Sequence, residues 1–308
     1  MTREPVEVLI VGAGPAGLAA GIYASRSGHR TLILEKMMPG GQVARTPEVE
    51  NYPGFAEPVA AAQLAQAMED QARRHGCELE MTDAKSLREN DDRFEVVTAT
   101  GTITARSVII ASGVESRELG LPNEKELRGR GVSYCAICDG PLFRGKEAAV
   151  VGGGDSALDE AVYLSGICSR VHLIHRREEF RAAAIAQQRV RERENIRLVL
   201  SSVVTGISGT GRLESVEITD VRDHSRTTLP VAGLFIYVGS VPNTVWCADA
   251  VELAEGGFVR ADNLLRTSRP GVFAAGDVRD TPLRQIATAV GDGALAAMTA
   301  HHYLISRL

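Results

Sequence analysis

The sequence predicts an α/β protein with two Rossmann-like βαβ units, and three observations support this fold class. Two short apolar stretches each end in a glycine-rich turn. Each turn is followed by a helical pattern and then by a second apolar stretch, which is the order of elements in a βαβ unit. The composition, with 44% hydrophobic and 24% charged residues among 308, is that of a globular protein of about two domains and excludes low-complexity and disordered classes.

The first βαβ unit is predicted at the start of the chain. Val6–Val11 is apolar, rich in β-branched residues and ends on Gly-Ala-Gly, which predicts a buried strand. A helical pattern follows over residues 15–27. A second strand is predicted over residues 31–34, and Glu35 stands at its end.

The second βαβ unit is predicted near the middle of the chain. Its first strand covers residues 147–151, its turn is Gly152-Gly153-Gly154, and a helix over 155–165 precedes a strand over 170–174. Further strands are predicted over residues 94–98, 102–104, 108–111, 197–204, 213–221 and 234–238. A helix of about twenty residues, rich in alanine at helical spacing, is predicted from Leu283 onward.

Charge and hydropathy exclude two classes of partner. The formal net charge of −5 argues against electrostatic binding to nucleic acid or to an anionic membrane. The longest apolar run, residues 231–238, is far shorter than the roughly 18–20 residues of a membrane span. The N-terminus lacks the basic region, apolar stretch and cleavage site of a signal peptide. We therefore expect a cytoplasmic protein that binds neither nucleic acid nor membrane.

The first glycine turn has the Gly-x-Gly-x-x-Gly pattern at Gly12, Gly14 and Gly17. In a dinucleotide site the first glycine permits the turn, the second lets main-chain N–H groups approach the pyrophosphate, and the third lets helix and strand pack closely. Glu35 stands 23 residues after Gly12, where a carboxylate accepts hydrogen bonds from ribose hydroxyls. The alternative, a tight turn without a ligand, does not account for the agreement of strand, glycines, helix and acid.

The second turn has the related pattern Gly152-x-Gly154-x-x-Ala157. The position 23 residues after Gly152 holds His175, followed by Arg176 and Arg177, and Arg181 lies about one helical turn further on. Arginine side chains can hold a 2′-phosphate that a carboxylate would repel. This pattern predicts NADP(H) rather than NAD(H); the alternative is that residues 175–181 form a solvated basic face.

Cys135 and Cys138 are the one cysteine pair with a motif spacing among the five cysteines. The Cys-x-x-Cys spacing favours a reversible disulfide, and Asp139 beside it is a candidate acid–base. A zinc site is the alternative, but it needs four ligands, and Cys77, Cys168 and Cys247 are isolated with no adjacent histidine. We therefore predict a redox pair, no metal site, and three buried cysteines without a chemical role.

These motifs together resemble the low-molecular-weight NADPH-dependent thioredoxin reductases, a branch of the pyridine nucleotide–disulfide oxidoreductases. The resemblance runs nearly from end to end. The motifs that carry it are Gly12 to Gly17, Gly40-Gly41-Gln42, residues 50–54, Ala111-Ser112-Gly113, Cys135 to Gly140, Gly152 to Ala157, His175-Arg176-Arg177 with Arg181, Pro242-Asn243 and residues 274–278.

The resemblance implies two cofactors, FAD at the first turn and NADPH at the second. Glu35 would bind the adenosine ribose, Asp277 the ribityl chain, and the start of the final helix would reach the isoalloxazine. The residues predicted to bind FAD are Gly12, Ala13, Gly14, Pro15, Ala16, Gly17, Glu35, Lys36, Gly40, Gly41, Gln42, Asn51, Ala111, Gly113, Gly276, Asp277, Arg284, Gln285 and Ile286. Those predicted to bind NADPH are Gly152, Gly154, Asp155, Ser156, Ala157, His175, Arg176, Arg177 and Arg181.

The resemblance also implies a discontinuous FAD domain, residues 1–115 and 244–308, with the NADPH domain and its dithiol inserted as residues 116–243. The implied activity is electron transfer from NADPH through FAD and the dithiol to thioredoxin, in a homodimer. In the family, Cys138 faces the flavin and Cys135 attacks the partner disulfide.

Three alternatives to that activity remain at this stage. The protein could reduce another dithiol protein, such as a glutaredoxin-like or peroxiredoxin-linked carrier. It could be a flavin-dependent oxidase of a small dithiol, which has no need of NADPH, although residues 175–177 disfavour this. It could also be a nucleotide-binding redox sensor, which would be reduced once per molecule without turnover.

Overall fold

A computed structural model describes residues 5–45 and 48–307, without the side chains of Arg45 and Cys138. Tertiary contacts divide the chain into two units. The first covers Met1–Glu115 and Val241–Leu308, and the second covers Ser116–Ser240. The second unit thus ends at Ser240, three residues before the predicted boundary at 243. The reason is that Asn243 is hydrogen-bonded to the first unit: its N–H donates to Gly113 O at 3.0 Å, and its Nδ2 donates to Ser112 O at 3.0 Å.

The described residues form nineteen strands and six α-helices. In chain order the strands are β1 (Val6–Val11), β2 (Thr31–Glu35), β3 (Glu48–Val49), β4 (Val59–Ala60), β5 (Glu78–Met81), β6 (Ala84–Asn90), β7 (Arg93–Thr98), β8 (Thr102–Ile110), β9 (Val114–Ser116), β10 (Val132–Ser133), β11 (Glu147–Gly152), β12 (Arg170–Ile174), β13 (Ile196–Val199), β14 (Ser202–Ser208), β15 (Ser215–Asp220), β16 (Arg226–Pro230), β17 (Gly233–Tyr237), β18 (Ser240–Pro242) and β19 (Val272–Ala274). The α-helices are α1 (Pro15–Arg26), α2 (Ala61–Arg74), α3 (Ala136–Asp139), α4 (Asp155–Ser165), α5 (Ala184–Arg191) and α6 (Ile286–Ile305).

The first unit is built on a mixed seven-stranded sheet. Its strand order is β5-β2-β1-β8-β7-β6, and β19 also pairs with β8. β1 lies parallel to both β2 and β8, and successive residues of β1 enter opposite cores: Val8 and Ile10 pack with α1, α2 and α6, whereas Leu9 packs on the other face. Burial on both faces explains why β1 is apolar at every position except the partly buried Glu7, instead of alternating.

Helix α6 packs directly on helix α1. A Cβ atom added at Gly293 of α6 would lie 2.0 Å from the main-chain oxygen of Ala16, so the two backbones approach too closely for a larger residue. Ala289, Ala296 and Ala300 of α6 share one buried cluster with α1. The alanine-rich composition of α6 therefore reflects close helix packing.

The second unit combines a parallel sheet with a smaller antiparallel one. The parallel sheet has the order β10-β17-β11-β12-β13, and the antiparallel sheet has the order β14-β15-β16. On β11, Ala148 and Val150 pack against α4, whereas Ala149 and Val151 join a cluster with residues of the antiparallel sheet. Both faces of the parallel sheet are therefore covered.

Three predicted element boundaries are wrong. The strand predicted over 197–204 is two strands, β13 and β14, because Ser201 adopts a left-handed φ of 51° and turns the chain into the other sheet. The strands predicted over 102–104 and 108–111 are one strand, β8, in which the buried Ser107 hydroxyl donates to Glu7 O at 3.1 Å. The last helix begins at Ile286, not Leu283, because Gln285 caps it in a reciprocal capping box with Thr288.

No helix within residues 5–45 and 48–307 has both the length and the apolar character that a membrane crossing requires.

Candidate functional site

The first glycine turn joins β1 to α1 and forms a tight cradle. Gly12 has a φ of +108°, and a Cβ added there would lie 2.3 Å from Ala111 O. A Cβ at Gly17 would lie 1.8 Å from Gly12 O. No atom lies within 4 Å of a Cβ added at Gly14, so this part of the turn is open at the N-terminus of α1. The open turn and the helix N-terminus fit the pyrophosphate of a dinucleotide.

Glu35 and Lys36 stand at the end of β2, close to the first turn. Glu35 Oε2 accepts a hydrogen bond from Ala13 N at 2.8 Å, and its Oε1 accepts one from Met37 N at 2.9 Å. Lys36 Nζ is 4.0 Å from Asp83 Oδ2 and is largely exposed. Glu35 is therefore held beside the glycine turn, as the ribose assignment requires, whereas Lys36 is directed to Asp83; its cofactor role stays a prediction.

The segment after β2 folds back onto the first turn. Gly40 N donates to Ala13 O at 2.7 Å, and a Cβ at Gly41 would lie 3.2 Å from Gly14 Cα. Gln42 Nε2 donates to Val114 O at 3.1 Å. The structure thus brings these predicted residues together with the turn and with the end of the segment that contains Ala111 and Gly113.

The predicted residues of the C-terminal part surround the start of α6. Asn51 Nδ2 donates to Gln285 Oε1 at 3.0 Å, directly before Ile286. Arg284 stacks over Phe258 at 4.3 Å, and its Nε is 3.4 Å from Asp277 O. Two predicted segments that are distant in sequence therefore meet in the structure.

Asp277 and Gly276 lie where β19 leads towards α6. Gly276 N donates to Asp292 Oδ2 at 3.0 Å, and Asp292 is also paired with Arg279 at 2.6 Å. Burial raises the pKa of Asp277 above its ordinary value; Arg284 opposes this shift and Asp292 adds to it. A partly buried carboxyl with a raised pKa suits a site that offers it a hydroxyl partner, as a ribityl chain does.

The second glycine turn repeats this geometry between β11 and α4. A Cβ at Gly152 would lie 2.4 Å from Tyr237 O, and the third position of the motif is the buried Ala157. No atom lies within 4 Å of a Cβ at Gly154, and Ser156 is exposed. The second turn is therefore also open at a helix N-terminus and fits a second dinucleotide.

The four cationic or titratable residues predicted after β12 divide into two groups. Arg176, Arg177 and Arg181 are exposed, as residues that bind a phosphate should be. His175 is buried, stacks on Phe180 at 5.3 Å, and donates from Nε2 to Glu179 O at 3.1 Å. Burial lowers the pKa of His175, the Glu179 hydrogen bond opposes this, and the arginines lower the pKa further. Through these two contacts the His175 ring stabilises the segment of residues 176–181.

The predicted redox motif includes helix α3. Cys135 is disulfide-bonded, and Cys77, Cys168 and Cys247 are free and buried. Burial raises the pKa of these three thiols, to about 11 for Cys168 and about 12 for the other two, so they stay protonated at neutral pH. The side chain of Cys138 lies outside the described part of the chain.

Two residues that the sequence did not indicate hold this motif. Cys135 N donates to Ser133 Oγ at 3.1 Å, and the Ser133 hydroxyl donates to Asp139 Oδ2 at 2.6 Å. The Tyr237 hydroxyl accepts a hydrogen bond from Ala136 N at 2.9 Å. Ser133 lies only two residues before Cys135, so its nearness was a usable signal, whereas Tyr237 on β17 is brought there by tertiary structure alone.

The segment that leads into Cys135 is anchored by Glu124. This buried carboxylate accepts hydrogen bonds from the Tyr134 hydroxyl at 2.5 Å and from three main-chain N–H groups, those of Leu119, Gly120 and Leu121. Burial alone would raise the pKa of Glu124, but these hydrogen bonds lower it below its ordinary value. A carboxyl whose pKa is lowered on folding stabilises the fold above its unfolded pKa and loses that contribution as the pH falls.

We expect Glu124→Gln to lower the free energy of unfolding by roughly 3 kcal/mol at pH 7, because an amide cannot accept from all four donors. The difference from the unmodified protein should shrink as the pH falls below the ordinary glutamate pKa of about 4.3, because the stabilisation that the lowered pKa provides is lost progressively there. Urea unfolding at a series of pH values measures both effects. Glu126→Gln, at an exposed position two residues away, is the matched control and should change little. A constant difference from pH 7 to pH 3 would contradict the assignment.

Within residues 5–45 and 48–307, no group of three or more His, Cys, Asp or Glu side chains is arranged to hold a metal ion.

Comparison with known proteins agrees with this arrangement of two glycine turns and a redox motif. Residues 6–293 match the family model of the pyridine nucleotide-disulphide oxidoreductases. The chain is 44% identical over 299 residues to the thioredoxin reductase of Listeria innocua, which covers 97% of this chain and 93% of that protein. It is 41% identical over 306 residues to the thioredoxin reductase of Bacillus subtilis, covering 99% of this chain and 96% of the other.

The structural comparison gives the same result. The fold superimposes on the crystal structure of Lactococcus lactis thioredoxin reductase with a TM-score of 0.96 and 40% sequence identity, covering 98% of this chain and 99% of that one. The aligned region extends over nearly the whole length of both proteins. The chain belongs to the pyridine nucleotide-disulphide oxidoreductases and, within them, to the low-molecular-weight thioredoxin reductases.

Proposed function

We propose that the protein transfers electrons from NADPH through FAD and the Cys135–Cys138 pair to the disulfide of thioredoxin. The observation that carries this proposal is the disulfide-bonded Cys135 in the same unit as the second glycine turn, whose neighbouring loop exposes three arginines. A pyridine-nucleotide site next to a redox-active cysteine motif is the arrangement that disulfide reduction needs. The names of the relatives identify thioredoxin as the acceptor to test first.

The first unit would hold FAD, which supplies two-electron transfer between the nicotinamide and the disulfide. The open turn at Gly14 would receive the pyrophosphate, Glu35 would bind the ribose, and the partly buried Asp277 would bind the ribityl chain. The N-terminus of α6, next to the Asn51–Gln285 hydrogen bond, favours a negative charge on the ring system.

The second unit would hold NADPH and exclude NADH. The turn at Gly154 receives the pyrophosphate, and the guanidinium groups of Arg176, Arg177 and Arg181 form charge-assisted hydrogen bonds with the 2′-phosphate. His175 supports this loop through its contacts with Phe180 and Glu179.

The dithiol would act by thiol–disulfide exchange. In the reduced protein, the Cys135 thiolate attacks one sulfur of the thioredoxin disulfide, which forms a mixed disulfide and releases the other sulfur as a thiolate. The Cys138 thiolate then attacks Cys135, so the internal disulfide forms again and thioredoxin leaves as a dithiol. Asp139, held by the Ser133 hydroxyl, exchanges the proton that these steps require.

An anaerobic titration tests this function. NADPH should bleach the flavin of the purified holoprotein, and oxidised thioredoxin added afterwards should restore the oxidised spectrum with continued NADPH consumption. Turnover with glutaredoxin-like or peroxiredoxin-linked carriers but not with thioredoxin would identify the first alternative. Reduction of oxygen by a small dithiol without NADPH would identify an oxidase, and a single reduction without turnover would identify a sensor.

The double variant Arg176→Ala/Arg177→Ala should raise the KM for NADPH at least about thirtyfold, because two charge-assisted contacts to the 2′-phosphate are lost. The KM for NADH should change little, since NADH has no 2′-phosphate. Steady-state kinetics with both nucleotides measure the two constants. Arg193→Ala/Arg197→Ala, which removes two exposed arginines beyond α5, is the control matched for net charge. If the unmodified protein used NADH and NADPH equally, the assignment of the loop would be refuted.

We also propose a cytoplasmic homodimer. Tyr23 on α1 and Leu295 and Ile305 on α6 are large apolar residues that are 45%, 38% and 47% exposed, and a second copy could cover them. Light scattering of the holoprotein at several concentrations tests the dimer. The proposed location is the cytoplasm, because its reducing conditions allow the Cys135–Cys138 disulfide to be reduced again after each turnover. Fractionation of cells tests this location.

A further inference from the structure

Asp155 places a carboxylate at the N-terminus of α4, next to the second glycine turn. It is the first residue of α4 and directly follows Gly154, where the pyrophosphate of a dinucleotide would approach the helix. A negative charge at this position repels a phosphate. The residue therefore needs an explanation other than direct contact with the nucleotide.

The structure shows what the Asp155 carboxylate binds. Its Oδ1 accepts a hydrogen bond from the main-chain N–H of Ala183 at 2.7 Å. Ala183 is the residue directly before α5 and has no side-chain cap of its own. The carboxylate thus links the start of α4 to the end of the loop that carries the three exposed arginines.

Residues 175–183, here called the arginine loop, are hydrogen-bonded at both ends to different parts of the second unit. At its start, His175 N donates to Val199 O at 2.9 Å, and Ser201 N donates to Arg177 O at 3.2 Å. These bonds fix Arg176 and Arg177 from the side of β13 and β14.

At its end, the loop is held by the second glycine turn. Arg181 N donates to Gly153 O at 2.8 Å, and two residues later Ala183 is bound by Asp155. The His175 ring also packs against Gly153, where an added Cβ would lie 2.2 Å from the ring. Two hydrogen bonds therefore connect the end of the loop to the second turn and α4. The main-chain bond joins Arg181 to Gly153, and the side-chain bond joins Ala183 to Asp155.

We propose that Asp155 is a positioning residue that sets the distance between the pyrophosphate turn and the 2′-phosphate loop, and so contributes to the preference for NADPH over NADH. This inference rests on the proposed NADPH site. The carboxylate acts through its oxygen as a hydrogen-bond acceptor and not through its charge. The charge itself weakens the binding of both nucleotides.

Two variants at position 155 separate the acceptor from the charge. Asp155→Ala removes both, so the ratio of kcat/KM for NADPH to that for NADH should fall at least about tenfold. Asp155→Asn keeps an acceptor oxygen and removes the charge, so the NADPH to NADH ratio of kcat/KM should stay within about twofold of the unmodified protein. A purely structural role would not change this ratio.

A variant at Ala183 removes the N–H group that donates to Asp155. Ala183 has a φ of −55°, which proline adopts readily, so Ala183→Pro removes the N–H at a compatible position. It should reproduce the effect of Asp155→Ala, whereas Ala183→Ser, which keeps the N–H, should not. Calorimetric binding of adenosine 2′,5′-bisphosphate and of ADP to each holoprotein gives the same comparison without turnover, since only the first ligand has a 2′-phosphate.

The outcomes distinguish this inference from the proposed function. If the unmodified protein does not prefer NADPH, the proposed nucleotide site fails. If it does prefer NADPH, but Asp155→Ala and Ala183→Pro keep the ratio, the positioning role is wrong. An equal loss in Asp155→Asn and Asp155→Ala would also overturn it, because the charge would then be the active feature.

Discussion

Cys135→Ala should lower the rate of thioredoxin reduction at least about a thousandfold, while NADPH still bleaches the flavin. The reason is that Cys135 is the disulfide-bonded cysteine and the proposed nucleophile, and without it Cys138 has no partner with which to form the internal disulfide that releases thioredoxin. The free thiols of Cys77, Cys168 and Cys247 are buried and have raised pKa values. Stopped-flow absorbance of the flavin and a coupled thioredoxin assay measure the two half-reactions separately.

Cys168→Ala is the matched control for this prediction. It removes a buried thiol from the same unit and should leave both half-reactions unchanged, apart from a small loss of stability. Thioredoxin turnover at the normal rate by the Cys135 variant would require another electron exit and would falsify the proposed path.

Gly17→Ala and Gly14→Ala should both yield protein without bound FAD, the first because the fold is destabilised and the second because FAD affinity is lost. A Cβ at Gly17 would lie 1.8 Å from Gly12 O, which is main chain and cannot move without opening the turn, so we expect a misfolded or strongly destabilised first unit. A Cβ at Gly14 meets no atom within 4 Å, so this variant should fold and yet lose FAD affinity, because the methyl group enters the space of the pyrophosphate.

The flavin absorbance of the purified proteins and their thermal unfolding separate these outcomes. Gly291→Ala is the control, because a Cβ there also meets no atom within 4 Å, and the residue is exposed on α6 and does not belong to the glycine turn. It should keep FAD and be slightly more stable, since alanine favours a helix over glycine. Normal FAD content in Gly14→Ala would show that the first turn does not hold the pyrophosphate.

The parts of the fold that could be predicted from sequence are the local ones. The two glycine turns and their flanking elements follow from residues close together in the chain, since Gly12 needs a left-handed φ and Gly17 a close contact. Helix α2 carries Leu64, Met68 and Ala72 at helical spacing on its buried face, so the same rule would have found it.

The parts that could not be predicted depend on contacts between distant residues or on a single backbone angle. Ser201 breaks an otherwise strand-like run through one left-handed φ, which its sequence context does not mark. His175 belongs to a basic cluster by sequence and yet packs inward, because Gly153 leaves room for its ring. The hydrogen bond from Ala136 to Tyr237 joins residues that are 101 positions apart.

The packing of α6 on α1 also has a consequence for biosynthesis. The first unit takes β19 and α6 from beyond residue 240, and the buried face of α1 is covered only when Gly293 and its neighbours reach Ala16. On the ribosome, the inserted unit is therefore complete while the first unit still exposes an apolar helix face. The nascent chain cannot acquire its flavin until translation has passed α6, so a product that stops between residues 244 and 285 would contain a finished nucleotide unit and no flavin.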